Sequence, residues 1–290
     1  GDLSESLAYG YNRAKLAWYV LDPMFIRQTT GLTPGNISDD DMSNNLVREV
    51  PETEVFPNRP IPTGVPSNVA MFDLAYYPDE RGPYNYDTDP VPGISAGLAA
   101  DGALNAPETR WAGIMRAIQT NDFQAANVEY IQFWLMDPFN SDNPYASTTT
   151  SGDLYFNIGN ISEDILRDNY KSAENGLPTS INPTTTVATD WGLVPEVQPL
   201  LNTFNNDPAE RPFQDVGLDG LGTTTGTTEQ GFFSNYLTAV QGIVSPAAYA
   251  AISADPSADD FHYFRGSDYD ANDVKTLERY KMFNGMENNS

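Results

Sequence analysis

Few residues in this sequence stand out by type and spacing as able to do chemistry. Its one histidine, His262, lies in the string Asp259-Asp260-Phe261-His262-Tyr263-Phe264. An imidazole beside a carboxylate can act as a general base, but it needs a nucleophile within reach, and no G-x-S-x-G element supplies one. The aromatic neighbours instead predict a packed ring, hydrogen-bonded within its own loop. Two acidic clusters offer the hard oxygen ligands that Ca²⁺ takes. One is Asp215 and Asp219 in DVGLDG; the other is Asp268, Asp270, Asn272 and Asp273 in DYDAND. Neither completes an EF-hand loop. Counting from Asp268, the sixth position is Asp273 where glycine is required, and the twelfth is Arg279 where glutamate is required. Turns closed by Asx hydrogen bonds account for the same residues, so calcium is the weaker expectation.

Other chemistries have less to recommend them. Paired carboxylates can hydrolyse glycosidic bonds, but 40 acidic residues make suitable pairs common by chance. No phosphate-cradling G-x-x-x-x-G-K-[ST] string occurs, nor a strand-linked G-x-G-x-x-G. Of the tryptophans, Trp18, Trp111 and Trp134 fall in apolar runs where burial is expected, which leaves Trp191 as the candidate for an exposed sugar-stacking platform. No catalytic residue and no cofactor are expected, and the chain is read as a non-enzyme.

Composition narrows the classes further. With 15 Lys+Arg against 40 Asp+Glu among 290 residues, the formal net charge is −25, which repels nucleic acid and anionic membrane surfaces. The absence of cysteine removes disulfides, thiol nucleophiles and Cys-ligated metals, and a single histidine removes H-E-x-x-H. A 12% aromatic content argues that so acidic a chain nevertheless folds. The opening Gly1-Asp2-Leu3-Ser4-Glu5 lacks a basic and an apolar region, and no membrane-length apolar run follows. A soluble piece of a longer protein is therefore expected.

Periodicity places the elements. Residues 14–23, with Leu16, Trp18 and Val20 alternating, predict a strand ended by Asp22-Pro23. From Thr29 to Pro66 the chain is polar, carries six prolines and the acidic run Asp39-Asp40-Asp41, and reads as an extended arm. Further strands are expected at 69–77, 111–118, 128–136 and 153–158. The run at 128–136, VEYIQFWLM, is apolar on at least one face and is expected to be central. A capped helix is expected after Ser162, helices at 229–243 and 247–252, and a closing strand at 276–283. The predicted organisation is an N-terminal strand and Pro-rich arm over 1–68, then a domain over 69–290 with a helical insertion around 229–252. Its predicted class is mainly β with short helices (α+β), a jelly-roll or galactose-binding-like β-sandwich core with long loop excursions.

Particular strings carry a resemblance. RAKLAWYVLDP from Arg13, FDLAYYPDERGPYNYD from Phe72, RWAGIMRAIQTNDFQAANVEYIQFWLMDPF from Arg110 and GDLYFNIGNISEDILRDNYKSAENGLP from Gly152 closely resemble the SprA/Sov family. So do FQDVGLDGL from Phe213, DDFHYFRGSDYD from Asp259 and LERYKMFNGMENNS from Leu277. Members are outer-membrane translocons of the Bacteroidetes type IX secretion system, also needed for gliding motility. The resemblance implies a soluble domain of such a translocon at the outer membrane or cell surface, the extracellular side of the pore favoured and the periplasmic side second. Its implied partners are the rest of the barrel, other type IX secretion components and secreted cargo. The competing reading is a cell-surface glycan-binding module, calcium-assisted and using Trp191.

Overall fold

The computed structural model describes residues 7–61, 64, 67–114, 122–139, 152–158, 186–189, 192–195, 228–260 and 262–283. Along these, the regular elements are short: β1 (Lys15–Tyr19), α1 (Pro23–Ile26), α2 (Asp39–Ser43), α3 (Glu52–Val55), β2 (Asp73–Tyr77), β3 (Thr186–Thr189), β4 (Gly192–Pro195), α4 (Thr228–Phe232), α5 (Ser234–Val240), α6 (Pro246–Ala254), α7 (Ser267–Ala271) and α8 (Thr276–Arg279). The strands form two antiparallel pairs, β1 with β2 in the register Ala17 opposite Ala75, and β3 with β4.

Two two-stranded ladders cannot make a sandwich, which needs two packed sheets with inward-facing rows. The mainly-β jelly-roll expectation is therefore corrected: among the described residues the architecture is short helices and long irregular segments, with strand confined to two hairpin-sized ladders. Two individual elements are corrected with it. Residues 276–283 begin as helix α8 instead of a strand: Arg279 N–H bonds to Lys275 O and Tyr280 N–H to Leu277 O, both at 3.2 Å, and the Arg279 side chain is fully buried. Residues 128–136 and 153–158 form no strand, make no ladder with any described residue and are largely solvent-exposed, so the expected central strand is absent there. The helix expected after Ser162 lies outside the described residues.

The chain divides into two compact units interleaved in sequence, Gly1–Val20 with Phe72–Gly113 and Ile158–Ser290, and Leu21–Met71 with Ile114–Asn157. In the first unit the core gathers Ala14, Leu98, Leu104, Phe233, Tyr236, Leu237, Val240, Val244 and Ile252. The helical periodicity of α5 puts Tyr236, Leu237 and Val240 on its buried stripe, as the sequence predicts, whereas Phe232 is exposed. Helix α6 starts where Ser245 accepts the Ala248 N–H at 3.3 Å and Pro246 takes the first helical position. Strand β1 forms as predicted but turns its other face inward. Ala17 and Tyr19 are buried while Val20 is exposed, and the Tyr19 ring stacks on Tyr280 at 4.4 Å.

In the second unit the acidic run Asp39-Asp40-Asp41 is a helix start. Ser38 Oγ accepts the Asp41 N–H at 3.2 Å, and the Asp41 carboxylate accepts the Ser38 N–H at 2.8 Å, a reciprocal capping box that places three carboxylates at the positive end of α2. This unit buries Met24, Phe25, Ile37, Met42, Val47 and Val50.

Candidate functional site

A chain with so little ladder has many backbone carbonyls that need donors once buried. Arginine supplies them, since its planar fork carries five N–H groups. Arg110 donates through Nε to Asn105 O at 3.0 Å, through Nη1 to Tyr11 O at 2.7 Å and Ser95 Oγ at 3.0 Å, and through Nη2 to Gly97 O at 3.1 Å and Asn105 O at 2.9 Å. Arg81 reaches Pro256 O at 2.6 Å, and Arg279 donates to Val274 O at 2.9 Å, Phe264 O at 3.3 Å and Asp270 Oδ1 at 2.8 Å. Asn85, fully buried, works alike: its amide donates to Tyr11 O and Arg13 O and accepts from Gly82 N–H. Arg81, Asn85 and Arg110 fasten segments far apart in sequence, while Arg279 gathers the loop just before it.

The residues singled out for chemistry are drawn into similar local work. His262 Nε2 lies 3.0 Å from Asp268 Oδ2 and Nδ1 lies 3.1 Å from Tyr263 O, while the ring packs 4.2 Å from Tyr269. Both ring nitrogens thus lie within hydrogen-bond reach of oxygen atoms of its own loop. Asp268, Asp270 and Asp273 do not converge on a common point. They pair separately with His262, Arg279 and Lys275, the last at 3.1 Å. Asn272 turns its amide back on Asp268 O at 2.8 Å. Asp215, Asp219 and Trp191 lie outside the described residues.

Among the described residues, one acidic group does converge, and sequence spacing did not point to it. Carboxylate oxygens of Glu229, Asp255 and Asp259 lie within 4.8 Å of one another. The loop that brings them together passes through Ala258 at φ 60°, a left-handed conformation that costs a residue with a Cβ about 1 kcal/mol. Ser257 N–H and Oγ both donate to Glu229 Oε1, at 3.0 and 2.7 Å, and Ser257 Oγ also contacts Asp259 Oδ1. One hydroxyl hydrogen serves one carboxylate at a time, so the second contact is a hydrogen bond only while a carboxyl keeps its proton. Burial pushes Glu229 up to about 7, against the pull of the Ser257 hydrogen bonds, and Asp255 and Asp260 raise it further. Nearby, Lys15 donates to the Met282 thioether at 3.6 Å, and burial holds its ammonium below the ordinary lysine value. Glu229 lies 26 and 30 residues from its partners, which is why no local motif announced it.

The feature best suited to function lies in the second unit and is apolar. Residues 128–136 form no ladder and leave large apolar side chains in solvent: Tyr130 is 83% exposed, Trp134 68%, Leu135 69% and Ile131 56%, with Trp134 meeting the Phe56 ring edge-to-face at 5.6 Å. Beside them Leu154, Tyr155 and Phe156 are exposed as well, Tyr155 at 76%. The Phe133 and Phe156 rings meet at 5.0 Å, and a methyl placed on Gly152 would sit 3.7 Å from the Phe139 ring. Residue 133 thus faces 156 and 139 faces 152, an antiparallel, hairpin-like relation. Yet no backbone-to-backbone hydrogen bond joins residues 129–137 or 152–157 to any described residue. Covering a large apolar side chain is worth about 1.5–3 kcal/mol, so this strip holds much unspent interaction energy.

Residues 235–290 match the family model SprA_N, described as a motility related/secretion protein. That stretch is an SprA-family segment. A comparison with curated proteins returns no match. The SprA segment contributes Tyr236, Leu237, Val240, Val244 and Ile252 to a core completed by Ala14, Leu98, Leu104 and Phe233 from outside it, so it folds as one body with the rest of its unit. Among the described residues no helix is long and apolar enough to cross a membrane.

Proposed function

We propose that the chain is a non-enzymatic domain of an outer-membrane type IX secretion translocon, serving protein export and gliding motility from the extracellular side of the pore as part of its cap. The observation that carries this reading is the SprA-family match on the segment that walls the first unit's core. Its support is strengthened by how the charged candidates are spent. His262, Asp268, Asp270 and Asp273 each serve a local pair, and the Glu229 cluster is buried among its own hydrogen bonds. Binding through surfaces, not turnover, suits such a molecule. A folded domain with net charge −25 also disfavours adhesion of acidic cargo along an aqueous path.

The test removes the chain in frame from its parent in living cells and follows cargo export and the parent's outer-membrane level separately. The reading expects export to fail while the barrel remains; normal export contradicts it. The side of the membrane has its own assay. Because these 290 residues contain no cysteine, Val20→Cys, at an exposed position, adds one label site within them, read as the difference from cells carrying the unchanged parent. Labelling of intact cells by a membrane-impermeant maleimide supports the extracellular cap, and labelling only after the outer membrane is opened contradicts it.

A further inference from the structure

The bare strip in the second unit has three properties that together specify what it binds. Its backbone N–H and C=O groups at 129–137 and 152–157 make no backbone-to-backbone hydrogen bond with any described residue. Large apolar side chains along the run are exposed, so a strand laid along its one open edge, with 152–157 on the other side, gains a row of cross-strand neighbours. Its charges are all of one sign: residues 122–139 carry Asp122, Glu129 and Asp137, residues 152–157 carry Asp153, and neither stretch has a lysine or arginine.

We propose that residues 128–136, with 152–157 alongside, take up by β-augmentation an apolar strand of another polypeptide whose ends carry lysine or arginine. Charge complementarity selects this occupant. A second copy of the chain would set Glu129 and Asp137 against their own counterparts, and like charges placed opposite each other across a ladder are destabilising. An anionic lipid surface would meet the same carboxylates. A strand with basic ends supplies main-chain hydrogen bonds along its length and cations where the strip ends. This partner assignment rests on the reading of the chain as an assembly domain, since it names what that domain assembles with.

The experiment uses the 290-residue chain and two fluorescent nine-residue peptides of alternating valine and threonine, one with lysines at both ends and one with glutamates. Fluorescence anisotropy is expected to show the lysine peptide binding at least tenfold more tightly, with affinity falling as salt rises. Successive residues of a strand turn their N–H groups to opposite edges, so of Ile131→Pro and Gln132→Pro one is expected to lose at least tenfold and the other to stay near wild type. Both positions precede no buried core residue, and circular dichroism of each variant checks that the fold is retained. Equal binding of the two peptides, binding of neither, self-association of the chain through the strip, or equal loss with both prolines would overturn the proposal. The outcomes separate from those of the translocon reading. If the peptide fails to bind but strip variants still block export, the partner assignment falls and the translocon reading stands. If the peptide binds as expected but export proceeds without the chain, the reverse holds.

Discussion

Residues 81–113 and residues 128–157 look alike in one respect, since neither contains a helix or strand longer than a single turn or bridge among its described residues. They differ in how their polar and apolar groups are satisfied. In the first stretch, Arg81, Asn85 and Arg110 reach the carbonyls of loops remote in sequence, and Leu98 and Leu104 enter the core. In the second, the sequence has the stronger pattern and the structure has the weaker outcome: rows of Tyr, Phe, Trp and Leu face water. Alternation makes a strand only when another strand stands beside it, whereas a loop becomes rigid when one buried fork gathers its carbonyls.

This contrast can be broken from the strong side first. Arg110→Ala removes five donors and leaves the buried Asp87 carboxyl, already raised by desolvation, without its neighbouring cation. Chemical denaturation is expected to show a loss of about 3–5 kcal/mol, with Arg110→Lys recovering only part because an ammonium cannot reproduce the fork.

Next in size is the pH dependence of the carboxylate cluster. The folded state holds Glu229 at about 7 against an ordinary 4.5, so between those values it binds more protons than the unfolded chain. Stability therefore falls as pH rises from about 4.5 through about 7, by on the order of 3 kcal/mol from this group. Melting curves across that range are expected to flatten in Glu229→Gln; an unchanged slope would remove the bound proton from the account.

Smaller still is Asp268→Asn. It loosens a pair in which His262 and Asp268 are both substantially exposed, and a cost under about 1 kcal/mol is expected by thermal melting. At the opposite end from Arg110, Tyr130→Ser and Leu135→Ser are expected to leave the stability of the free chain within about 0.5 kcal/mol, since neither side chain is covered. A large loss there would show that the strip is packed already.

What could be read in the sequence follows the same line. Helices α5 and α6 were legible in place because an apolar stripe acts locally, although the Ser245-Pro246 start of α6 went unread. Strand β1 was legible in extent but not in facing, because small Ala17 lies inward and bulky Val20 outward, against the usual weight of apolar size. The β-sandwich was inferred from runs such as 128–136 on the assumption that they pair within the chain, and no described residue pairs with them. The arginine forks, the Glu229 cluster and the burial of Arg279 were illegible, since each depends on partners that only the fold brings near. His262 meets Tyr269, seven residues on in the chain, so that ring contact was not legible from the aromatics that flank it in the string.

Amide hydrogen exchange on the free 290-residue chain tests the central contrast most directly. The account predicts slow exchange at Leu237, whose N–H is bonded to Phe233 O inside the core, and near-unprotected exchange across 129–137 and 152–157. Comparable protection in the two regions would mean that the strip is already paired within the chain, and would contradict the account.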